Sequence, residues 1–159
     1  MSGGSQGRTP ISDRTGDARG ELSGAEPVAE GLFTRPPEPL RLIGSRCRRC
    51  QALAFPRQHS CPRCTSVEVD EHLLVPWGSL WTWTVQCFPP KPPYVPNEGE
   101  FEPYPVGYVE LAGELRVETR LVDVDPGELN IGMPMELTLL ALPGGRVTYA
   151  FRPGEEGAP

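Results

Sequence analysis

From Trp77 onward the chain alternates. Across residues 77–88 one set of positions reads Trp77, Trp81, Trp83, Val85 and Cys87, and the other reads mainly Thr82, Thr84 and Gln86. Period-two alternation in aromatic and β-branched residues predicts a long half-buried strand, with Cys87 packed as a small hydrophobe on its apolar face. Residues 106–111 and 115–122 form two more strand patterns, joined by the short hairpin connection Ala112-Gly113-Glu114. Residues 133–142 and 146–152 close the set through Pro143-Gly144-Gly145. Between the third and fourth strands, Asp125-Pro126-Gly127-Glu128-Leu129 suits a helical turn, because Asp caps and Pro fits the first helical position. Five strands with one helical turn between the third and fourth is the element order of an OB barrel, and a five-stranded sandwich is the competing arrangement. The expected class is mainly β.

Residues 1–37 show no such period. They are rich in Gly, Ser, Arg and acids, and read as a flexible tail with one short helix around residues 25–33 that Pro36 and Pro37 would stop. Residues 38–76 form a cysteine-bearing module, residues 77–153 the barrel, and residues 154–159 a flexible end.

The module carries Cys47-x-x-Cys50 and Cys61-x-x-Cys64. Each CxxC turn aims two thiolates at one point, and two facing turns make a tetrahedral sulfur cage. An all-sulfur site suits Zn²⁺, with iron the chemical alternative and a redox disulfide pair the rival reading. Four thiolates leave no open coordination position, so the expected role is structural. The module is too small for a core of its own, and metal binding would supply its folding energy. Arg41, Arg46, Arg48, Arg49, Arg57 and Arg63 surround the cage with no acid between residues 41 and 64. This predicts a basic patch for a partner or for coenzyme phosphates, against the plainer reading of a solvated surface.

Charge distribution narrows the function. Residues 1–37, 38–76 and 77–159 carry −1, +2 and −7, within a chain total of −6. An acidic barrel repels a phosphate backbone, which argues against nucleic acid as a partner. Eighteen glycines and twenty prolines in 159 residues exclude a long helical bundle. No run approaches the ~18 apolar residues of a membrane span, and no apolar signal core opens the chain; the expectation is a cytoplasmic protein without a membrane partner. Catalytic candidates are poor. His59 and His72 are the two histidines, and neither falls in a motif with a nucleophile and an orienting acid.

Residues 89–105 contain seven prolines together with Tyr94, Phe101 and Tyr104. Structureless connections of this length are usually functional or disordered, and the aromatics suit docking; a stiff strap on the chain's own barrel is the equal alternative. Arg48, Arg49, Tyr94, Phe101 and Tyr104 are therefore the candidate partner-binding residues.

The order of these motifs is distinctive. Cys47, Cys50, Phe55-Pro56, Cys61-Pro62-x-Cys64, residues 78–85, residues 106–111, Ile131-Gly132-Met133 and Phe151-Arg152-Pro153 fall in the order found in acyl-CoA-associated proteins. The chain resembles, over about residues 40–153, the family that joins a rubredoxin-like zinc ribbon to a C-terminal OB fold, long catalogued as a domain of unknown function. The resemblance implies a non-catalytic accessory subunit that binds and stabilises or activates a thiolase-like enzyme working on CoA thioesters. The long 89–105 connection and Tyr104-Pro105-Val106-Gly107-Tyr108 look closest to the branch that partners a thiolase-like aldolase. That aldolase cleaves steroid side-chain β-hydroxyacyl-CoA by a retro-aldol reaction. A true thiolase as partner, a stand-alone acyl-CoA-binding protein and a small redox protein are the alternatives, and a two-plus-two assembly is implied by the same resemblance. The family often has glycine after each cysteine pair, where this chain has Gln51 and Thr65.

Overall fold

A computed structural model describes residues 22–91 and 101–155. Nine strands are described: β1 (Glu26–Pro27), β2 (Ile43–Cys47), β3 (Leu53–Ala54), β4 (Val69–Leu73), β5 (Trp77–Gln86), β6 (Tyr104–Leu111), β7 (Arg116–Arg120), β8 (Pro134–Leu142) and β9 (Arg146–Pro153). The first sheet runs β3-β2-β4 and is the ribbon; the second runs β1-β9-β8-β5-β6-β7 and is the barrel. The barrel's seam is one parallel bridge, Leu121 to Phe151, beside a hydrogen bond from Val122 N to Phe151 O at 2.9 Å. The five expected strands are all present, and the turn Pro126–Glu128 is capped by Asp125, whose side chain accepts from Gly127 N at 2.7 Å.

The core gathers Leu80, Val109, Leu111, Val117, Leu121, Met135, Leu137, Val147 and Phe151 from the barrel with Phe33, Leu42 and Leu74 from the preceding segments. Two glycines let the barrel strands approach. A Cβ at Gly78 would lie 2.2 Å from Glu110 O, and one at Gly107 would lie 2.6 Å from Thr82 O. Only a residue without Cβ fits there.

The N-terminal reading changes. Residues 25–33 are not helical: a 3-10 turn over Leu22–Gly24 leads into β1, which pairs in parallel with β9. Phe33 enters the core and its neighbour Thr34 is buried. The apolar residues there are spaced for a strap crossing the barrel, a pattern too short to show a period.

The face of β5 also changes. The β5–β6 register shifts between Leu80 and Thr82, leaving Trp81 as an extra residue. A bulge of this kind flips the parity of everything beyond it. Leu80 is fully buried and Trp83 packs against the core, while Trp81 faces out. Cys87 falls one residue past the end of β5 and is exposed, so its expected place on the apolar face is not realised.

Candidate metal centre and its surroundings

Cys47 closes β2, Cys50 stands in the turn before β3, and Cys61 and Cys64 lie in the loop before β4. Both pairs sit in the same local scaffold. Gln51 N donates to Cys47 O at 3.0 Å and Thr65 N to Cys61 O at 2.9 Å; Cys47 N donates to Ala52 O and Cys61 N to Ser66 O. Closing each knuckle demands a left-handed residue after the second cysteine, and Gln51 and Thr65 take φ +60° and +59°. Their side chains compensate locally, Gln51 Nε2 bonding Arg48 O at 2.9 Å and Thr65 Oγ1 bonding Cys64 O at 2.7 Å.

The four sulfurs lie within 4.8 Å of one another. Cys47–Cys64 and Cys50–Cys61 measure 3.6 and 3.5 Å between Sγ atoms. Those gaps are far beyond a disulfide's ~2.05 Å. They sit close to the about 3.8 Å edge of a tetrahedron with 2.3 Å Zn–S bonds. The donor set fits a closed, structural zinc. Among the four thiols, burial works to raise that of Cys61. Backbone N–H groups of Cys64 and Arg63 and the thiols of Cys50 and Cys64 outweigh it and bring Cys61 down to about 6. At Cys64 the Ser66 backbone lowers the thiol, but burial and the three neighbouring sulfurs carry it up to about 12. A dication would replace the shared protons.

The expected basic patch is partly dismantled by β4. Arg48 grips Asp70 with two hydrogen bonds of 2.7 and 2.5 Å, and Arg57 reaches Glu71 at 2.6 Å. The hydrogen bond to Asp70 holds the Arg48 guanidinium above its ordinary range and the Asp70 carboxyl below its own. Arg41 donates to Leu74 O and lies over the Trp77 ring. Arg46, Arg49 and Arg63 are exposed and form no ion pair among the described residues. His59 is exposed.

His72 has a role that the sequence reading missed. Its Nε2 meets Glu114 Oε1 at 2.7 Å, and Glu114 Oε2 accepts from Val75 N at 2.8 Å. One carboxylate from the β6–β7 turn thereby ties the ribbon strand and the linker to the barrel. Phe55 adds an edge-on contact with Tyr149 at 5.3 Å. Of the loop aromatics, Phe101 and Tyr104 pack together at 5.8 Å with Arg120 3.8 Å above Tyr104, while Tyr94 lies outside the described residues.

Two family models match this architecture: the rubredoxin-like zinc ribbon domain of ChsH2 over residues 36–69, and the C-terminal OB-fold domain of ChsH2 over residues 74–140. A DUF35 domain-containing scaffold protein of Methanocaldococcus jannaschii is 30% identical, covering 70% of this chain and 79% of that one. The chain belongs to the DUF35 family. A probable enoyl-CoA hydratase alpha subunit of Thermomonospora curvata is 34% identical to this DUF35 chain over 71% of it, and the match spans only 34% of that longer protein. The benzoylsuccinyl-CoA thiolase subunit BbsA of Thauera aromatica is 28% identical, over 70% of this chain and 75% of BbsA. Among solved structures, a chain of the Ltp2-ChsH2(DUF35) aldolase superposes with a TM-score of 0.57 at 33% identity, over 71% of this DUF35 chain and 84% of that one. Among the described residues no helix is long and apolar enough to cross a membrane.

Proposed function

We propose that this DUF35 chain is a non-catalytic accessory subunit of a cytoplasmic thiolase-like aldolase. The aldolase cleaves steroid side-chain β-hydroxyacyl-CoA thioesters by retro-aldol chemistry, and the accessory chain binds it and stabilises or activates it. The observation that carries this reading is the likeness to a chain of the Ltp2-ChsH2(DUF35) aldolase. The closed sulfur cage supports it, since a four-thiolate site offers no open position for substrate. A true thiolase as the partner is the second reading, favoured by the likeness to BbsA.

Docking would draw on Arg49, Phe101 and Tyr104, together with Tyr94 and Arg48. Arg48 must first give up its grip on Asp70, which ranks Arg49 ahead of it. The expected assembly is two-plus-two. The test is capture from native lysate with the full chain, identification of the bound enzyme, and assay with β-hydroxyacyl-CoA and β-ketoacyl-CoA. Retro-aldol cleavage by the complex and none by the chain alone supports the aldolase reading. Thiolysis instead selects the thiolase, and turnover by the purified chain alone refutes both.

A further inference from the structure

The outer face of β5, β6 and β7 carries a strip of aromatic and arginine side chains that the core does not use. Trp81 follows the buried Leu80 at the bulge and faces outward, 44% exposed. Arg116 lies 4.0 Å above its ring and is itself fixed by Glu110, Nε to Oε1 at 2.9 Å. Tyr108 meets Trp81 edge-on at 6.3 Å and donates its hydroxyl to Glu118 at 3.1 Å. Four residues back along β6, on the same face, Tyr104 sits under Arg120 and beside Phe101. At about 3.3 Å per residue the two clusters lie about 13 Å apart on one strand.

Leaving an indole 44% exposed forgoes part of the burial that a core position would give it. What results is an ordered plate. Each ring and guanidinium is already held, so little side-chain entropy is left to lose when a partner covers it. Tryptophan, tyrosine and arginine are the residues that dominate interface energetics. This is also the side of an OB barrel on which ligands sit.

Charge decides among the occupants. On the strip the two arginines are balanced by Glu110 and Glu118, while residues 77–159 as a whole carry 5 basic and 12 acidic groups. A phosphate backbone finds no net positive field there. A second copy would bring a half with the same net negative charge against this one. A protein face with an uncharged apolar centre and a basic rim is complementary. We propose that the strip centred on Trp81, Tyr108 and Arg116 is the docking surface for the thiolase-like subunit, whose matching face is apolar at its centre and basic at its edge. This rests on the accessory-subunit reading, and makes the strip continuous with Tyr104 and Phe101.

The experiment titrates variants of the full, zinc-loaded chain against the thiolase-like enzyme that the wild type captures. Trp81→Ala, Tyr108→Ala and Arg116→Glu are each expected to weaken binding roughly 10- to 100-fold or more. Ile131→Ala and Val67→Ala, at exposed apolar positions off the strip, are expected to bind as wild type. Zinc content and melting temperature verify folding, and the surface change Arg116→Glu keeps the test open if Trp81→Ala misfolds. Benzoylphenylalanine placed at position 81 should crosslink to the enzyme. Wild-type affinity in all three strip variants, or crosslinks only to a second copy or to nucleic acid, overturns the inference and leaves the accessory reading standing. A wild-type chain that captures no thiolase-like enzyme overturns both.

Discussion

Between Ile43 and Leu73 the ribbon buries little beyond Gly44, Ser45, Cys47 and Cys61, whereas the barrel buries Leu80, Val109, Leu111, Val117, Leu121, Met135, Leu137, Val147 and Phe151. Both halves are built mainly from antiparallel strands. One is fastened by coordination bonds at a single point, and the other by apolar area removed from water around a closed cylinder. The ribbon's stability is therefore set by metal supply and thiol chemistry, and the barrel's by packing. Different perturbations should separate them.

The largest separation comes from the metal. Structural zinc contributes roughly 10–16 kcal/mol of binding free energy to sites of this kind. Chelation, or the paired change Cys61→Ser with Cys64→Ser, should unravel residues 43–73 and leave most of the strand signal in circular dichroism. Elemental analysis should find one zinc per chain before chelation. Stoichiometric iron, or a well-folded ribbon free of metal, would contradict the comparison. The converse experiment is Phe151→Ala, at a fully buried side chain beside the seam. Truncating a buried phenylalanine costs about 3–5 kcal/mol. Urea titration should show the barrel weakened by that amount while a colorimetric zinc assay still finds the metal retained.

A smaller effect is expected where the halves meet. Glu114→Ala removes the acceptor for both His72 Nε2 and Val75 N. Half-buried donors left unpaired cost about 1–3 kcal/mol. Hydrogen exchange should accelerate at Val75 while zinc binding stays stoichiometric; unchanged exchange would show that the halves are held by Phe55 and the shared core alone. The smallest change is a gain. Gln51→Gly and Thr65→Gly relieve left-handed backbone at +60° and +59°, and each should stabilise the zinc-loaded ribbon by up to about 1 kcal/mol, read as slower zinc release to a chelator.

What could be read in the sequence, and what could not, follows the range of the interactions. The cage was legible because each CxxC pair fixes two ligands three residues apart, and both pairs fall within one short module. The five barrel strands and the Asp125 cap were legible because their signals are local as well. Trp81 was misplaced because parity along β5 depends on a bulge that only pairing with β6 reveals, and Cys87 because β5 ends at Gln86, one residue before it. The arginine patch was overstated because its neutralising acids, Asp70 and Glu71, arrive from β4, 22 residues after Arg48 and 14 after Arg57. His72 was passed over because its partner lies 42 residues away. Gly78 and Gly107 stood inside the motifs of the resemblance, but their reason is the approach of a facing backbone oxygen.

The pairing of β1 with β9 has a consequence for how the chain is made. Pro27 waits for Val147, 120 residues later. At ~5–20 residues per second, the strap stays without its partner for on the order of ten seconds after it leaves the ribosome. The ribbon's three strands and four cysteines all lie at or before Leu73, so its sheet and sulfur cage can form while the barrel is still being synthesised. Biogenesis then runs from the middle outward: metal capture first, cylinder closure second, and the N-terminal strap laid down last.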